Sequence, residues 1–341
     1  MQDGVVTRAD RRRVALVLGS GGARGYAHIG VINELRDRGY DIVGISGSSM
    51  GALVGGLQAA DRLDEFTEWA KALTQRAVLR LLDPSITAAG VLRAGKILDA
   101  VRDILGDTTI ERLPIPYTAV ATDLITGRSV WLQRGPVDAA IRAAIAIPGV
   151  IAPHVVDGRL LADGGILDPL PMAPMAAVNA DLTVAVNLSG SEEEATAHDD
   201  DPEPRPTAEW LHRMLRSTSG LLDTNAARSL LDRPTARAVL SRFGAAIPDT
   251  DVDAEPEPDA LPEVPEVPEV PKLGSFEVMN RTIDIAQAAL TRHHLAMYPP
   301  DLLIEVPRTT CRSLDFHRAA EVIDVGRELA ATALDAAADA G

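Results

Sequence analysis

The first half of the chain alternates short apolar runs with segments of helical periodicity. Residues 14–18 (VALVL) form a continuous apolar run that ends in glycines, which is typical of a strand buried on both faces of a parallel sheet. Between residues 26 and 38 the apolar positions recur at helical intervals, and Gly39 ends the segment. The same pattern predicts strands at 42–45, 118–122, 129–132 and 182–188, and a helix at 49–60. This order predicts an α/β fold with a mostly parallel central sheet covered by helices.

Composition changes abruptly after Gly190. Residues 191–272 contain 19 acidic and 8 basic side chains, a net charge of −11 out of −16 for the whole chain. They include PEVPEVPEVP at 262–271, and such sequence buries too little apolar surface to fold by itself. The centre, 207–244, differs because Trp210, Leu211 and Met214 recur at helical intervals. We therefore expect 191–272 to be an acidic, Pro-rich, partly disordered insert with a helical centre.

Regular structure is predicted again after the insert. Residues 276–298 have helical periodicity, 302–306 (LLIEV) form an apolar run between prolines, and an Ala-rich helix is predicted at 315–337. The expected organisation is therefore a tail (1–13), a main domain (14–190), the insert (191–272) and a C-terminal segment of helices and a strand (273–341) that completes the main fold.

The bulk composition argues against several classes of protein. An aromatic content of 3% and a net charge of −16 both disfavour binding to nucleic acid. The single cysteine, Cys311, permits no intrachain disulfide and fits a reducing compartment. No apolar run approaches the roughly 18 residues that span a bilayer, and the N-terminus lacks the apolar region of a signal peptide. We expect a cytoplasmic protein whose contact with membrane lipid, where it occurs, is peripheral.

Gly47-Ser48-Ser49-Met50-Gly51 is a G-x-S-x-G sequence between a predicted strand and a predicted helix. At such a sharp turn the Ser49 hydroxyl is presented for nucleophilic attack, and the glycines allow close approach of the backbone. The free N–H groups at the start of the helix would stabilise negative charge there. The pattern also occurs in ordinary glycine-rich turns, so its place between strand and helix is what favours a nucleophile.

A second glycine-rich loop, 19–25 (GSGGARG), also lies between a predicted strand and a predicted helix. Consecutive glycines can turn several backbone N–H groups toward one point, as an oxyanion hole requires. The alternative is a phosphate-binding loop of a nucleotide-binding module. The sequence has neither the Lys-Ser/Thr ending of a P-loop nor the G-x-G-x-x-G spacing.

Together these motifs resemble those of the patatin-like phospholipase family, including its bacterial members related to neuropathy target esterase. In that family a G-G-G-x-R-G loop, a G-x-S-x-G and a D-G-G/A follow in order, as they do here at 21–25, 47–51 and 163–165. The blocks at 143–153, 121–127 and 313–318 are also similar to bacterial members. Ser20 stands where many members have glycine. The resemblance covers roughly residues 14–190 and 274–330.

The resemblance implies a patatin-like three-layer sandwich and a Ser–Asp dyad. Ser49 would be the nucleophile and Asp163 its base, acting through an acyl-enzyme. The expected oxyanion hole consists of the backbone N–H groups of Gly21, Gly22 and Ala23. We expect no cofactor and no metal. The supporting motif residues are Arg24, Gly25, Gly47, Gly51, Gly164 and Gly165. For Arg24 we favour a role in holding the loop over contact with a lipid phosphate.

Histidine is a poor candidate for a third catalytic residue. His154 precedes Asp163, whereas α/β-hydrolases have the order Ser, acid, His. The later histidines and His28 lie in predicted helices, where packing or surface roles are more common. Three other aspartates compete with Asp163 as the base, but their settings are typical of turns or caps: Asp123, Asp157 and Asp168.

The sequence thus predicts a serine acyl hydrolase that cleaves lipid acyl esters, with the lipid as its expected partner. Two alternatives remain open. One is the nucleotide-binding module that uses loop 19–25. The other is a hydrolase-fold interaction protein that recruits a protein partner through the acidic insert.

Overall fold

The computed structural model describes residues 12–81, 95–148, 150–190 and 275–339. The acidic insert, most of the N-terminal tail and the helix predicted at 207–244 therefore lie outside the described residues. In chain order the elements are β1 (Arg13–Leu18), α1 (Ala27–Asp37), β2 (Asp41–Ser48), α2 (Met50–Ala59), α3 (Leu63–Lys71), α4 (Gln75–Leu81), α5 (Gly95–Leu105), β3 (Tyr117–Asp123), β4 (Arg128–Leu132), α6 (Val137–Ala144), β5 (His154–Val156), β6 (Arg159–Asp163), β7 (Leu182–Gly190), α7 (Ser275–Met297), β8 (Leu302–Pro307) and α8 (Ala319–Asp339).

Five strands form a parallel half of the central sheet, in the order β3-β2-β1-β7-β8. The central strand β1 is buried on both faces. Leu16 and Leu18 belong to one apolar cluster, and Ala15 and Val17 belong to another on the opposite face. Burial on both sides explains why β1 reads as a continuous apolar run rather than an alternating one.

The remaining strands form an antiparallel extension in the order β4-β3-β6-β5, with β3 shared between the two halves. A strand has only two edges, and β4 occupies one edge of β3 from Ala119 to Asp123. The strands β2 and β6 therefore share the other edge. β2 pairs with β3 as far as Val120, and β6 takes over from Ala121. The two strands meet head to head at this point.

Helices and irregular segments cover both faces of the sheet. On one face α1 packs against α8, and α2 lies on β2 and next to α6. On the other face α7 and the segment around Leu170 and Met175 pack against β1 and β7. These three layers confirm the predicted α/β sandwich with its mostly parallel sheet.

Most predicted elements are present with shifted ends. The helix predicted from residue 26 begins at Ala27, after a 3₁₀ turn at Gly22–Tyr26, and the strand predicted at 42–45 extends to Ser48. The final helix begins at Ala319 because Phe316–Arg318 forms a 3₁₀ turn. Helices α3 and α6 were not predicted, although each has buried apolar residues at spacings of three and four.

Candidate active site

Ser49 occupies the turn between β2 and α2. Its φ of 53° and ψ of −124° lie in a region that side chains rarely adopt, as a nucleophile elbow requires. The turn is tight because β1 passes directly beneath it. A Cβ on Gly51 would lie 2.1 Å from the Leu18 carbonyl oxygen, and one on Gly47 would lie 2.2 Å from the Gly51 oxygen. Both positions therefore need glycine.

Asp163 lies beside Ser49 because of the shared edge of β3. Ser48 pairs with Val120, and Asp163 pairs with the next residue, Ala121. The carboxyl ends of β2 and β6 thus face each other. The Ser49 Oγ donates a hydrogen bond to Asp163 Oδ2 at 2.6 Å, and both residues are 3% exposed.

The carboxylate of Asp163 is held by its neighbours in one orientation. Oδ1 accepts the backbone N–H of Gly165 at 2.7 Å, which leaves Oδ2 for Ser49. A Cβ on Gly164 would lie 2.1 Å from the Val120 oxygen, so the turn after Asp163 also needs close backbone contact. Burial raises the pKa of Asp163 to about 6, against the opposing effect of the hydrogen bonds from Ser49 and Gly165.

The glycine loop after β1 lies next to this pair. Gly22 and Ser49 line the same slot, and Gly25 packs against Met50, where an added Cβ would meet the Met50 Cβ at 2.3 Å. Within the described residues, the N–H groups of Gly21 and Gly22 have no hydrogen-bond partner. The N–H of Ala23 donates to the Ser313 carbonyl at 2.9 Å, so in this arrangement it is not free to bind an oxyanion.

The start of α2 offers another donor, which the sequence reasoning did not include. The N–H of Met50, the first residue of the helix, is likewise unpaired among the described residues, because the first turn of a helix has no internal partners. The signal for it was present, since a donor from the residue after the nucleophile is usual at a nucleophile elbow.

Arg24 is buried at 4% exposure and faces the protein interior. Its Nε donates to the Gly21 carbonyl at 3.2 Å, and its guanidinium reaches the Ser313 hydroxyl at 3.4 Å and Asp284 at 3.7 Å. Burial lowers the pKa of Arg24, and the charge of Asp284 opposes this. The Gly21–Gly22 peptide is trans, so its N–H points opposite to its carbonyl. By holding the Gly21 oxygen, Arg24 fixes the direction of the Gly22 N–H.

An apolar slot with a volume of about 80 Å³ opens at Ser49. One wall is aromatic: the ring centroids of Tyr26 and Phe66 are 6.5 Å apart, and those of Tyr26 and Phe316 are 6.2 Å apart. Other lining residues come from α2, the loop after α6 and the C-terminal segment: Leu53, Ile145, Ile151 and Leu314. The sequence reasoning missed this lining. For Phe66, the apolar spacing of α3 was the available signal.

The histidines of the described residues make no hydrogen bond with Ser49 or Asp163. His28 is fully buried, its Nε2 lies 2.8 Å from the Gly19 carbonyl, and burial lowers its pKa to about 4. A carbonyl only accepts, so Nε2 carries the hydrogen and His28 supports the loop from behind. His294 pairs with Asp168 at 2.9 Å, which raises the pKa of His294.

The other two competing aspartates also have structural settings. Asp123 accepts the N–H groups of Ile125 and Thr126 at 2.9 and 3.1 Å and so caps the turn after β3. Asp157 is exposed in the turn between β5 and β6. In the described stretches, no group of three or more His, Cys, Asp or Glu could hold a metal ion, and no helix is long and apolar enough to cross a membrane.

Comparison with known proteins places this site in a family. Residues 16–176 match the family described as patatin-like phospholipase. A Mycobacterium tuberculosis protein, named an uncharacterized NTE family protein, is 72% identical over 333 residues, which cover 95% of this chain and 92% of that protein. Neuropathy target esterase sws of Drosophila melanogaster is 31% identical over 196 residues, 55% of this chain and 14% of that protein.

Among solved structures, the crystal structure of VipD from Legionella pneumophila has a TM-score of 0.44 at 14% identity, over 96% of this chain and 67% of that chain. A likeness at this level is too weak to support the assignment, which depends on the sequence relatives. Those relatives confirm the resemblance carried by the three motifs and support a lipid hydrolase activity in general. The chain belongs to the patatin-like phospholipase family, and NTE-type proteins are among its relatives.

Proposed function

We propose that the protein is a serine acyl hydrolase that cleaves lipid acyl esters through a Ser49–Asp163 dyad. The observation that carries the proposal is the 2.6 Å hydrogen bond from Ser49 Oγ to Asp163 Oδ2 at the mouth of an apolar slot. A nucleophile whose base lies within hydrogen-bond reach meets the geometric requirement for covalent catalysis.

In the acylation step Asp163 takes the proton of Ser49 as Oγ attacks the ester carbonyl. The carbonyl electrons move onto oxygen, and the resulting oxyanion is stabilised by the unpaired N–H groups of Gly22 and Met50. When the tetrahedral intermediate collapses, the proton passes from Asp163 to the departing alcohol, and the acyl group remains on Ser49. Each such oxyanion donor contributes about 3 kcal/mol to the stability of the transition state.

In the deacylation step water takes the place of the alcohol. Asp163 accepts a proton from water as the water oxygen attacks the acyl-Ser49 ester, and it then returns that proton to Ser49 Oγ. The products are a free fatty acid and the regenerated dyad. The pKa of about 6 suits this role, because Asp163 is ionised at neutral pH and still binds a proton better than an exposed aspartate does.

The lining of the slot supports an acyl chain as the group that is held. Aliphatic and aromatic side chains surround Ser49, and they offer an acyl chain apolar contact but no charged partner. The slot is small, with a volume of about 80 Å³, so side chains of its wall must shift to admit an acyl chain.

The proposal is tested by hydrolysis of a short p-nitrophenyl ester by purified full-length variants. Ser49→Ala should reduce turnover by at least roughly four orders of magnitude, since it removes the nucleophile. Asp163→Asn should reduce it by at least about a thousandfold, because an amide cannot accept the proton.

Ser48→Ala is the matched control. Its hydroxyl is buried one residue before the nucleophile and has no hydrogen-bond partner among the described side chains. Turnover by Ser48→Ala should stay within about threefold of the wild type. Equal losses in Ser48→Ala and Ser49→Ala, or persistent turnover in Ser49→Ala, would contradict the dyad.

The geometry gives no support to the nucleotide-binding alternative. The N–H groups of Gly19, Ser20 and Ala23 all donate to protein carbonyls, which leaves too few donors in the loop to surround a phosphate. The proposed recruitment of a protein partner concerns residues 191–272, which lie outside the described residues, and it stays a prediction.

A further inference from the structure

The antiparallel extension projects past the dyad at the carboxyl edge of the sheet. From Ala121, which pairs with Asp163, β3 runs on to the turn that begins at Leu124. The turn between β5 and β6, at Asp157 and Gly158, lies on the same side because β6 is antiparallel to β3. At about 3.4 Å per residue, Leu124 lies roughly 10 Å beyond Asp163 along the strand direction.

Large apolar side chains are exposed on this projection. The fractional exposures are 43% for Leu124, 78% for Ile125, 46% for Trp131 and 61% for Val155. We call these four residues the hairpin surface. They are half of the eight large apolar residues that are exposed in the described part of the chain, and the other four lie on or next to α7. Exposed apolar side chains concentrated in this way mark a contact surface.

Three members of the hairpin surface, Leu124, Trp131 and Val155, share the face of the extension opposite to that of Asp163, and Ile125 lies in the turn at its tip. The N–H of Leu124 bonds to the Leu160 carbonyl, and Leu160 pairs with Val155, so the three lie in one row across the strands. Trp131 pairs with Val120. Val120 has the same parity along β3 as residue 124, and side chains alternate along a strand, so Trp131 lies on the same face.

The exposed charged side chains of the extension are mostly basic. Its exposed charged side chains are three arginines and one aspartate: Arg128, Arg134, Arg159 and Asp157. These exposed groups sum to +2 in a chain of net charge −16. Arg134 lies 3.7 Å from Asp157, so Arg128 and Arg159 supply the positive charge. Such a surface is complementary to an anionic layer, which the rest of the chain would repel.

A short stretch of chain connects the lining of the Ser49 slot to the hairpin surface. Ile147, Val150 and Ile151 line the slot, and the chain then leads directly into β5, which carries Val155. Interfacial protein elements typically enter the boundary between head groups and acyl chains by about 5–10 Å. Insertion of Ile125 to that depth brings the lipid ester layer close to the level of Ser49.

We propose that the hairpin surface docks the protein on an anionic phospholipid bilayer with the carboxyl edge of the sheet, where Ser49 lies, turned toward the lipid. The aliphatic residues enter the boundary of the acyl chains, Trp131 lies at head-group depth, and Arg128 and Arg159 contact lipid phosphates. This inference rests on the proposed function, because it gives that same site access to its lipid substrate.

The test measures binding of the full chain to vesicles of equimolar phosphatidylglycerol and phosphatidylcholine by flotation. The Ser49→Ala background prevents hydrolysis from altering the vesicles. Ile125→Glu in that background should weaken binding at least tenfold. Ile285→Glu is the matched control, since Ile285 is 66% exposed on α7, and it should change binding less than twofold. Vesicles of phosphatidylcholine alone should bind the Ser49→Ala chain at least threefold more weakly.

Three results would overturn the proposal: equal binding by the two glutamate variants, no vesicle binding at all, or equal affinity for both vesicle compositions. Light scattering without lipid measures the oligomeric state, and so tests whether a second copy of the chain covers the hairpin surface instead. If Ile125→Glu, but not Ile285→Glu, turns a dimer into a monomer, the surface joins two copies of the chain and the bilayer proposal fails. Hydrolysis of a soluble ester by the wild type is measured separately, so failure of docking and failure of the proposed hydrolase are distinguishable.

Discussion

Asp163 combines burial, which raises its pKa to about 6, with two hydrogen bonds that favour its ionised form. Its neighbours account for both effects. The shared edge of β3 removes the carboxylate from water, and Ser49 and Gly165 each donate to one of its oxygens. In the proposed dyad a base with this pKa is ionised at neutral pH and accepts the Ser49 proton without a histidine.

Activity should therefore depend on one ionisation near pH 6. Below that pH Asp163 is protonated and cannot accept the Ser49 proton, so kcat/KM should fall about tenfold per pH unit, with a plateau above. A rate profile on a soluble ester between about pH 4.5 and 8 measures this. His294→Gln is the control, because His294 also has a raised pKa, and it should leave the midpoint in place. A midpoint that disappears in His294→Gln would instead assign the ionisation to the histidine.

Arg24 is the second residue whose role depends on a buried contact. Arg24→Lys keeps the charge but cannot hold the Gly21 oxygen and the Ser313 hydroxyl together. The Gly22 N–H would lose its fixed direction, and kcat should fall roughly tenfold to a hundredfold with KM little changed. Arg36→Lys, at an exposed pair with Asp64, is the matched control and should keep kcat. A rise in KM with kcat unchanged would instead indicate that Arg24 binds substrate.

At the scale of elements, the site depends on strands that end at the right place. β2 stops at Ser48 and β6 stops at Asp163, at consecutive positions along one edge of β3. A register shift of one residue in β6 would turn Asp163 to the opposite face of the sheet. The helix α2 must also begin directly above β1, and the close contact with β1 leaves room only for glycine at position 51.

Gly51→Ala should therefore destabilise the fold although alanine is the better helix former. Its Cβ would lie 2.1 Å from the Leu18 backbone oxygen, which cannot move without shifting β1. Gly56→Ala in the same helix meets the end of the Ile141 side chain at 2.8 Å, which can rotate away. In urea unfolding, Gly51→Ala should lower the free energy of unfolding by at least about 2 kcal/mol more than Gly56→Ala does. Equal losses would contradict the close packing of α2 on β1.

At the scale of the whole molecule, distant parts of the chain meet at the glycine loop. Ser313 lies in the C-terminal segment, yet its carbonyl binds Ala23 and its hydroxyl contacts Arg24. Phe316 from the same segment packs edge-on against Tyr26. The segment also contributes β8 to the sheet and α8 to the layer of α1.

The sequence predicted the parts of this arrangement that have a local cause. Buried strands read as apolar runs, and the motifs at Ser49 and Asp163 could be located from their glycines. The hydrogen bond from the Ala23 N–H to Ser313 could not be predicted, because Ser313 is 290 residues further along the chain. β5 was also missed, since a strand of three residues has too little periodicity to detect.

The central claim is that Ser49 is a nucleophile activated by Asp163 alone. It is tested most directly by reaction with a fluorophosphonate, followed by mass spectrometry of the digested protein. A single adduct on the peptide that contains Ser49 is expected, with none in Ser49→Ala and labelling slowed at least about a hundredfold in Asp163→Asn. An adduct on another residue, or a labelling rate that Asp163→Asn leaves unchanged, would contradict the account.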